Sequence, residues 1–420
     1  MIESGLALIA NASPTGLLLL FWYFFVLELP RYALSTLTVA LHALKRDHDA
    51  PLDPSVPVSV LVAGMNDAEG LQRTVLSLRE QTHPNLQVVV VEDGGGTAMS
   101  RLAQDLQQSG LIHRYLATGT RGGKAAALNL GLRACQHEYL VVMDVDSSLD
   151  CDAIDRIGRR LQANPAVGAV AGNLAVRNAD RSVWTAFQAL EYLSAISMGR
   201  QFLALFDLLT IVSGAFGLFR RSAIEQAGGW DVGPGDDSNL TLKLRRAGWA
   251  IDFAPQAWCL TDAPVTLGAL RRQRLRWSRS LIRNRWRKFS GVFNPRMARF
   301  RWRDLVATVN QLFFNVFLTF SYFAYLIHLL LRFGTDAIVF IVAIHILILL
   351  VHAGSFFLTW GVVGRPGTLG LVVFVPGWTL YQGILMRFIR LEAYLGELIL
   401  RRSYTDPFYP ARVRAAQERF

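Results

Sequence analysis

Two acidic residues separated by one position directly follow a short apolar run. Residues 140–143 read Leu-Val-Val-Met, and Asp144 and Asp146 come next, with Val145 between them. Such a run predicts a buried strand. Carboxylates at its end are hard oxygen ligands that suit Mg²⁺ or Mn²⁺ bridged to a diphosphate. The alternative is a pair of solvated acids in a loop, but the strand context favours a metal site.

A third carboxylate, Asp93, follows the apolar run 88–91 and precedes three glycines. Open α/β sheets bind ligands at the carboxyl edge, where a carboxylate accepts hydrogen bonds from a base or ribose. Alone, this motif is weak, and an ordinary strand-ending turn explains it more often. Residues 121–124 (Arg-Gly-Gly-Lys) add a softer signal, because glycines allow close backbone approach and Lys124 can reach a phosphate. A solvated basic turn explains them at least as well.

Two further carboxylates, Asp236 and Asp237, lie in the segment 235–241, which leads into a helix-like stretch at 242–246. An acceptor hydroxyl must lose its proton when it attacks, and a carboxylate within hydrogen-bond reach can accept that proton. Asp237 is therefore a candidate general base. Asp237 or Ser238 could equally cap the helix, and both roles can coexist on adjacent residues.

Residues 273–277 read Gln-Arg-Leu-Arg-Trp inside a basic run. Arg276 can bind a diphosphate leaving group, and the indole face of Trp277 can stack on the apolar face of a sugar ring. The alternative is a membrane-surface helix with snorkelling arginines and an interfacial tryptophan. These residues alone do not decide between the two interpretations.

In this order, across about 220 residues, the motifs resemble those of the family 2 glycosyltransferases, particularly the processive membrane synthases of cellulose, chitin, hyaluronan and poly-N-acetylglucosamine. Residues 144–146 match DxD and residues 273–277 match QxxRW, and further likeness comes from residues 212–217 and 261–264. The resemblance implies a GT-A fold, Mg²⁺ or Mn²⁺ as cofactor, and inverting transfer from a UDP-sugar. It also implies these roles: uridine contact for Asp93, diphosphate contact for Lys124 and Arg276, nucleotide and metal binding for Asp144, metal binding for Asp146, general base for Asp237, and acceptor binding for Gln273 and Trp277.

The resemblance predicts a growing β-linked polysaccharide as acceptor, with export across the bilayer. Residues 235–237 and 276–280 look closer to the hyaluronan and chitin-oligosaccharide synthases, which favours UDP-N-acetylglucosamine as donor. Three alternatives stay open: a UDP-glucose-using β-glucan synthase, a non-processive enzyme that adds one sugar to a lipid, and a catalytically silent membrane scaffold. The intact carboxylates argue against the scaffold. Accessory export proteins are a further candidate class of partner.

The composition of the 420 residues places part of the chain in a bilayer, because 52% are hydrophobic and the mean hydropathy is +0.29. The net charge of +11 does not indicate nucleic acid, since the basic residues concentrate at 271–288, before an apolar stretch, and no nucleic-acid-binding motif is found. Three widely spaced cysteines exclude a disulfide framework and a CxxC metal site.

Short β-branched runs alternate with amphipathic stretches over the region after residue 57. Strands are predicted at 58–62, 88–91 and 140–143, and helices at 70–81 and 102–108. This alternation predicts an α/β domain with a parallel sheet. Together with the GT-A fold that the resemblance implies, we expect an α/β GT-A-type nucleotide-sugar-binding domain flanked by transmembrane α-helices.

The apolar stretch 17–41 predicts one kinked membrane crossing, because Glu28, Pro30 and Arg31 interrupt it. Three later stretches, 305–331, 337–363 and 369–386, are each long enough for a span, and short turns separate them. Seven arginines from Arg387 to Arg419 favour a cytoplasmic C-terminus. Three crossings after a cytosolic domain would place it outside, so we expect three or four spans, one of them interfacial or re-entrant.

The chain therefore divides into a membrane anchor (1–45), a cytosolic GT-A catalytic domain (46–270), a basic interfacial segment with QxxRW (271–300), transmembrane helices (301–390) and a basic tail (391–420). Asp47 and Asp49 belong to a polar, proline-bearing linker at the first boundary. The expected location is the inner (plasma) membrane, with several crossings and the catalytic domain in the cytosol. No fused regulatory domain is apparent after the spans.

Overall fold

The computed structural model describes residues 2–45 and 51–417. Asp47 and Asp49 of the predicted linker, the boundary after residue 45, and Arg419 of the basic tail lie outside the described residues. The centre of the fold is one eight-stranded sheet, in the order β3-β2-β1-β4-β7-β6-β8-β5. Its strands are β1 (Val58–Gly64), β2 (Leu86–Glu92), β3 (Arg114–Ala117), β4 (Tyr139–Asp144), β5 (Ser148–Leu149), β6 (Val167–Val176), β7 (Phe216–Arg220) and β8 (Ala250–Thr261).

The strands β3, β2, β1 and β4 pair in parallel, as the alternation of strands and helices predicts. The expectation of a parallel sheet is wrong for the second half, because β7 pairs antiparallel with both β4 and β6. Phe216, the first residue of β7, pairs with Met143 near the end of β4, so the chain enters β7 at the carboxyl edge. The sheet is therefore mixed, and the α/β GT-A-type fold is confirmed below by comparison with solved structures.

Both faces of the sheet are buried, which explains why its central strands are continuous apolar runs. In β1, Val60 and Val62 point into the core on one face, and Leu61 and Ala63 point into the core on the other. The helices of this domain are Ala68–Arg79, Ala98–Gln108, Lys124–Leu132, Ala153–Ala163, Val183–Glu191, Gly199–Leu205, Arg221–Gln226, Asp236–Ala247 and Leu267–Leu281, with π-helical turns at Tyr192–Met198 and Ile282–Lys288 and a 3₁₀ turn at Ser290–Phe293. We call these strands and helices the sheet domain.

Three helical segments are long and apolar enough to cross a membrane, judged by length and composition: Phe24–Ala43, Trp302–Val363 and Thr368–Leu400. The second segment turns back on itself at Gly334, whose φ of 54° suits a glycine. The Tyr322 hydroxyl lies 3.4 Å from Nε2 of His345 across this turn, so the segment is an antiparallel hairpin. Its arms are Trp302–Leu312, Phe313–Phe317 and Leu318–Phe333 on one side and Ala337–Val363 on the other.

The remaining helices complete the helical bundle. Two short helices, Ile2–Ala10 and Pro14–Leu20, precede the first segment. That segment begins with a π-helical turn, Phe24–Glu28, and continues as the α-helix Leu29–Ala43, which contains Pro30. The kink predicted near Pro30 therefore coincides with a break in the regular α-helix. The third segment, which we call the returning helix, comprises Thr368–Phe374, Val375–Leu380, Tyr381–Leu385 and Met386–Leu400.

The returning helix extends ten residues beyond the boundary predicted at residue 390. Apolar side chains continue to Leu400, and Arg387 is buried against Glu28 inside the bundle, although we predicted it in a basic tail. Both ends of the returning helix reach the sheet domain. Arg365, just before it, forms a bidentate pair with Asp150 (2.8 and 3.2 Å), and Glu397, near its end, binds Arg287 (2.6 Å).

Buried ion pairs join the sheet domain to the membrane helices. The Arg245 guanidinium is 1% exposed and binds the carboxylates of Asp304 (2.7 Å) and Asp207 (3.0 Å). The basic run 271–288 includes three more buried arginines, Arg274, Arg283 and Arg285. We predicted an interfacial segment here, but much of its charge lies inside the protein. The reason is that neighbouring elements supply polar partners, such as Thr210 for Arg285 (2.8 Å).

Candidate active site

The carboxyl ends of three parallel strands meet at one edge of the sheet and carry the first group of acidic residues. Gly64 of β1 pairs with Glu92 of β2, and Ala63 of β1 pairs with Asp144 of β4. Asp93, directly after β2, donates its backbone N–H to Gly64 O (2.8 Å). Because β1 lies between β2 and β4, the turns that carry Asp93 and Asp144 lie on either side of the same strand end.

Asp93 organises the loop that leads to Lys124. Its buried carboxylate accepts the backbone N–H groups of Gly122 (2.5 Å) and Gly123 (2.8 Å) and a hydroxyl hydrogen bond from Thr118 (3.3 Å). Gly123 has φ 84° and precedes the helix Lys124–Leu132. Both carboxylate oxygens are thus used to shape this loop. The uridine contact predicted for Asp93 stays a prediction.

Lys124 points from the start of its helix to the end of β4, where its Nζ lies 2.5 Å from Oδ1 of Asp144. Both side chains are one-third exposed. The ammonium passes directly over Gly214, because a Cβ at position 214 would lie 2.4 Å from Nζ. This gives residues 212–217 a physical role: the glycine leaves room for the lysine.

Asp144 and Asp146 both interact with Lys124, whereas Val145 between them points into the core. A Cβ at Gly64 would lie 2.2 Å from Val145, so this glycine lets the loop lie close to β1. Within residues 2–45 and 51–417, no cluster of three or more His, Cys, Asp or Glu side chains could hold a metal. Two carboxylates without a full protein cage fit Mg²⁺ or Mn²⁺ that shares its coordination with substrate phosphates.

Asp236 and Asp237 begin the helix Asp236–Ala247, directly after Gly235, whose φ is 75°. The buried Asn284 amide donates to Gly235 O (3.1 Å) and to the Ser238 hydroxyl (2.8 Å). This turn is therefore held by the π-helical extension of the QxxRW helix. Ser238 N also donates to Asp237 Oδ1 (2.7 Å), but the residue at the N-cap is Gly235 and no side chain caps this helix, so the capping alternative is wrong. The catalytic role of Asp237 stays a prediction.

Burial shapes the protonation of this group of residues. It raises the pKa of Asp144 to about 6 against the attraction of Lys124, and it also raises the pKa of Asp146. Burial is the main cause of the raised pKa of Asp237, and repulsion from Asp236 adds to it. For Lys124, burial lowers the pKa, but the attraction of Asp144 and the other carboxylates outweighs it, so the pKa is raised. The lysine therefore stays charged.

The helix Leu267–Leu281, which we call the motif helix, presents Gln273, Arg276 and Trp277 at spacings that share one face. Gln273 Oε1 is buried and has no hydrogen-bond partner among the described residues. Trp277 is 47% exposed, and the Arg274 guanidinium lies 4.3 Å from its ring centroid. The sheet edge thus gathers Lys124, Asp144, Asp146, Asp236 and Asp237, while the predicted acceptor residues lie on a separate helix.

Residues 401–417, which we call the tail segment, connect these two parts of the site. The Arg276 guanidinium lies 4.0 Å from the Phe408 ring centroid, and Arg121 donates to Phe408 O (3.0 Å). Arg412 donates to the Thr120 hydroxyl (2.5 Å) and to the backbone carbonyls of Thr120 and Arg121. Sequence reasoning missed these contacts. The tail segment carries no local motif, and its arginines indicated only a membrane-facing charge.

Comparison with known proteins agrees with this geometry. Residues 54–280 match the family model described as "Glycosyltransferase like family 2". The poly-beta-1,6-N-acetyl-D-glucosamine synthase of Staphylococcus epidermidis is 30% identical over 234 residues, which cover 54% of this chain and 56% of that protein. The enzyme of the same name from Staphylococcus aureus (strain COL) is 28% identical over 238 residues, which cover 56% of this chain and 57% of that protein. The chain spans about half the length of the curated relatives it matches.

A solved mannosyltransferase from Pyrobaculum calidifontis, in complex with GDP-Man and Mn²⁺, has the same fold. The alignment has a TM-score of 0.60 and 20% sequence identity, and it covers 91% of this chain and 99% of that one. The resemblance seen in the motifs is therefore confirmed by the family match and by the fold. The chain belongs to the family 2 glycosyltransferases and is an enzyme of that class.

Proposed function

We propose that this enzyme transfers N-acetylglucosamine from UDP-N-acetylglucosamine, with inversion, to the growing end of a β-linked polysaccharide, and that the product is exported through the membrane. The observation that carries the proposal is the convergence of Lys124, Asp144, Asp146 and Asp237 at one sheet edge. These groups match the needs of a diphosphate donor and a hydroxyl acceptor. The named activity of the staphylococcal relatives supports the donor and the product.

In the proposed reaction, the acceptor hydroxyl attacks the anomeric carbon, and the bond from that carbon to the diphosphate oxygen breaks. Asp237 accepts the hydroxyl proton, so its position at the start of a helix beside Asp236 is suited to the general base. Lys124 and Arg276 bind the diphosphate as its negative charge increases. Because attack comes from the face opposite the leaving group, an α-linked donor gives a β-linked product.

We assign Asp144 and Asp146 to a divalent cation, Mg²⁺ or Mn²⁺. The fit rests on two partly buried carboxylates that are separated by one residue and that both interact with Lys124. When bound, such a cation neutralises charge on the departing diphosphate. The mannosyltransferase of the same fold was solved with Mn²⁺, which agrees with a divalent ion without choosing between the two.

For the acceptor, we propose binding by Trp277 and Gln273 on the motif helix. An exposed indole face can stack on a sugar ring, and the unpartnered Gln273 Oε1 can accept a sugar hydroxyl. The motif helix is tied to the membrane helices, because Glu191 accepts from Arg274 (2.8 Å) and from Tyr381 of the returning helix (3.0 Å). An acceptor held here would lie directly above the helical bundle, which is consistent with export.

For the membrane topology, we propose three crossings, with the sheet domain and the tail segment both in the cytosol. The first segment crosses once and the hairpin Trp302–Val363 crosses twice. The returning helix does not cross, because Arg365 before it and Glu397 near its end both bind the sheet domain. Four spans would place the basic C-terminal tail outside the cell, which conflicts with its charge. Three crossings place it in the cytosol, on the same side as the sheet domain, where Arg412 binds Thr120.

The proposed activity is tested by incubating membranes that contain the full chain with radiolabelled UDP-N-acetylglucosamine, UDP-glucose or GDP-mannose, each with Mg²⁺, Mn²⁺ or excess EDTA. We expect label from UDP-N-acetylglucosamine in a large polymer, and loss of incorporation in EDTA, because without a cation the two carboxylates repel the diphosphate. If all of the label is found in a lipid that carries a single sugar, the enzyme is non-processive. Full turnover in EDTA would contradict the metal assignment.

The assignment of the base is tested with matched variants of neighbouring residues. Asp237→Asn keeps shape and hydrogen bonding but cannot accept a proton, so transfer should fall by roughly 10²–10⁴-fold while UDP affinity is retained. Asp236→Asn should have a milder effect. Initial rates and equilibrium UDP binding of both purified variants measure this. If Asp236→Asn loses transfer and Asp237→Asn does not, the other carboxylate is the base.

Gly214→Ala tests whether Lys124 must occupy its observed position. The added methyl would lie 2.4 Å from Nζ, so the flexible lysine end must move away from Asp144, whereas the fold has little reason to change. We expect the KM for the donor to rise about tenfold, the effect of losing one charge-assisted contact of about 1.4 kcal/mol. Gly354→Ala, where a Cβ has no neighbour within 4 Å, is the matched control. Equal donor KM values in both variants would show that the lysine position is unimportant.

Topology is tested with single cysteines in a chain whose exposed Cys151 is replaced by Ser. Thr335→Cys lies in the hairpin turn, Gln108→Cys in the sheet domain and Arg401→Cys after the returning helix, and all three positions are exposed. A membrane-impermeant maleimide added to intact cells should label only Thr335→Cys, and opened membranes should allow labelling of all three. Labelling of Arg401→Cys in intact cells would show that the returning helix crosses.

A further inference from the structure

Arg177 and Asn178 follow β6 directly and belong to none of the motifs that indicate the function. The Arg177 side chain is 23% exposed and reaches the loop that carries the metal-binding carboxylates. Its Nη2 donates to the backbone carbonyl of Asp146 (3.0 Å) and to the Ser148 hydroxyl (3.1 Å). The arginine thus binds the main chain of a residue whose side chain is assigned to the metal.

The same two residues also bind the segment that leads into the motif helix. Arg177 Nη2 donates to Leu260 O (2.8 Å), and its Nη1 lies 3.2 Å from the Asp262 carboxylate. The Asn178 amide makes a pair of hydrogen bonds with Ala263, donating to its carbonyl (2.9 Å) and accepting its N–H (2.8 Å). Residues 261–264, which contribute to the family resemblance, are therefore held at the end of β6.

The loop from Val145 to Ser148 has little freedom to move. Thr74 Oγ1 donates to the backbone carbonyls of Val145 (2.7 Å) and Ser147 (2.5 Å), and Arg177 binds the carbonyl between them. Three consecutive carbonyls are fixed by two side chains from other elements. The backbone that carries the Asp146 carboxylate is therefore pre-organised, because its conformation need not be selected when a ligand binds.

We propose that Arg177 and Asn178 are positioning residues that fix the Asp146 loop relative to the chain entering the motif helix. They touch neither donor nor acceptor. Their effect is to set the separation between the carboxylates assigned to the metal and the diphosphate, on one side, and Arg276 and Trp277, on the other. This inference rests on the proposed function, because it assigns Asp146 to a divalent cation bound with the nucleotide.

The arginine is required for its shape as well as for its charge. A guanidinium presents five N–H donors in a planar fork, and Arg177 uses that fork to reach four acceptors on two segments. A lysine carries the same charge but is a single-point donor. Arg177→Lys and Arg177→Gln should therefore both release the loop, whereas a purely electrostatic role would be preserved by the lysine.

The experiment measures UDP binding to the purified full chain by calorimetry, with Mn²⁺ and with EDTA, together with donor kcat and KM. We expect Arg177→Lys and Arg177→Gln to weaken Mn²⁺-dependent UDP affinity by about 10–100-fold, the usual effect of removing a group that orients a metal ligand. Binding in EDTA should change little. Arg156→Gln is the matched control, because Arg156 binds Gln256 on the same domain and lies outside the site.

Three outcomes would overturn the inference. Full Mn²⁺-dependent affinity in Arg177→Lys would show that charge alone matters. A lowered unfolding temperature in both variants with unchanged Mn²⁺-dependent affinity would show a purely structural role. If the wild-type chain itself binds UDP equally well in EDTA and in Mn²⁺, the metal assignment fails and the inference fails with it. Mn²⁺-dependent UDP binding that is the same in the wild type and in both Arg177 variants overturns the inference alone and leaves the proposed function intact.

Discussion

Four carboxylates share the space around one ammonium group, and this concentration of negative charge constrains the rest of the site. Asp144, Asp146, Asp236 and Asp237 all act electrostatically on Lys124 or are acted on by it. Burial raises the pKa of Asp144 to about 6 against the attraction of Lys124, so ionisation of this carboxyl group in the folded state is opposed by its surroundings. A nucleoside diphosphate adds more negative charge. The proposed function therefore requires further cations at this site, and it assigns that role to a divalent ion and to Arg276 of the motif helix.

The arginines that surround the site also join the soluble and membrane parts of the molecule. Arg287 pairs with Glu397, Arg245 with Asp304, and Arg365 with Asp150. Arg274 contributes indirectly, because its partner Glu191 also accepts from Tyr381 of the returning helix. Breaking a buried pair leaves an uncompensated charge, so such contacts specify one arrangement of the elements more strongly than they stabilise it. In the sequence, the basic run 271–288 resembled a positively charged segment at a membrane surface. The structure shows that several of its members lie inside the protein and fix the motif helix against the returning helix.

The parts of the fold that sequence reasoning predicted are those set by neighbouring residues. Asp93 and Asp144 follow apolar strands, and parallel pairing brings strand ends together, so the sheet edge could be predicted from periodicity alone. The antiparallel direction of β7 could not be predicted, because its apolar run has the same pattern in either direction. Nor could the tail segment, since Arg412 and Arg121 meet across 291 residues and neither lies in a local pattern that indicates the contact. The base and the metal ligands stay assigned by resemblance and geometry until they are measured.

In the proposed site, donor and acceptor are held by different kinds of structure. The donor side is built on strand ends, whereas the acceptor side is on a helix packed against the bundle. Transfer requires the reacting atoms to approach to about 3–3.5 Å, and a misplacement of about 1 Å can cost 10²-fold in rate. Alignment therefore depends on contacts that cross between the two sides. Such contacts are made by Asn284, which follows the motif helix and donates to Gly235 O, and by Arg177, which binds both Asp146 O and Leu260 O. Within the motif helix, Arg274 is held by Glu191. Because Glu191 also binds Tyr381 in the returning helix, the membrane helices take part in setting the geometry of the reaction as well as in anchoring the enzyme.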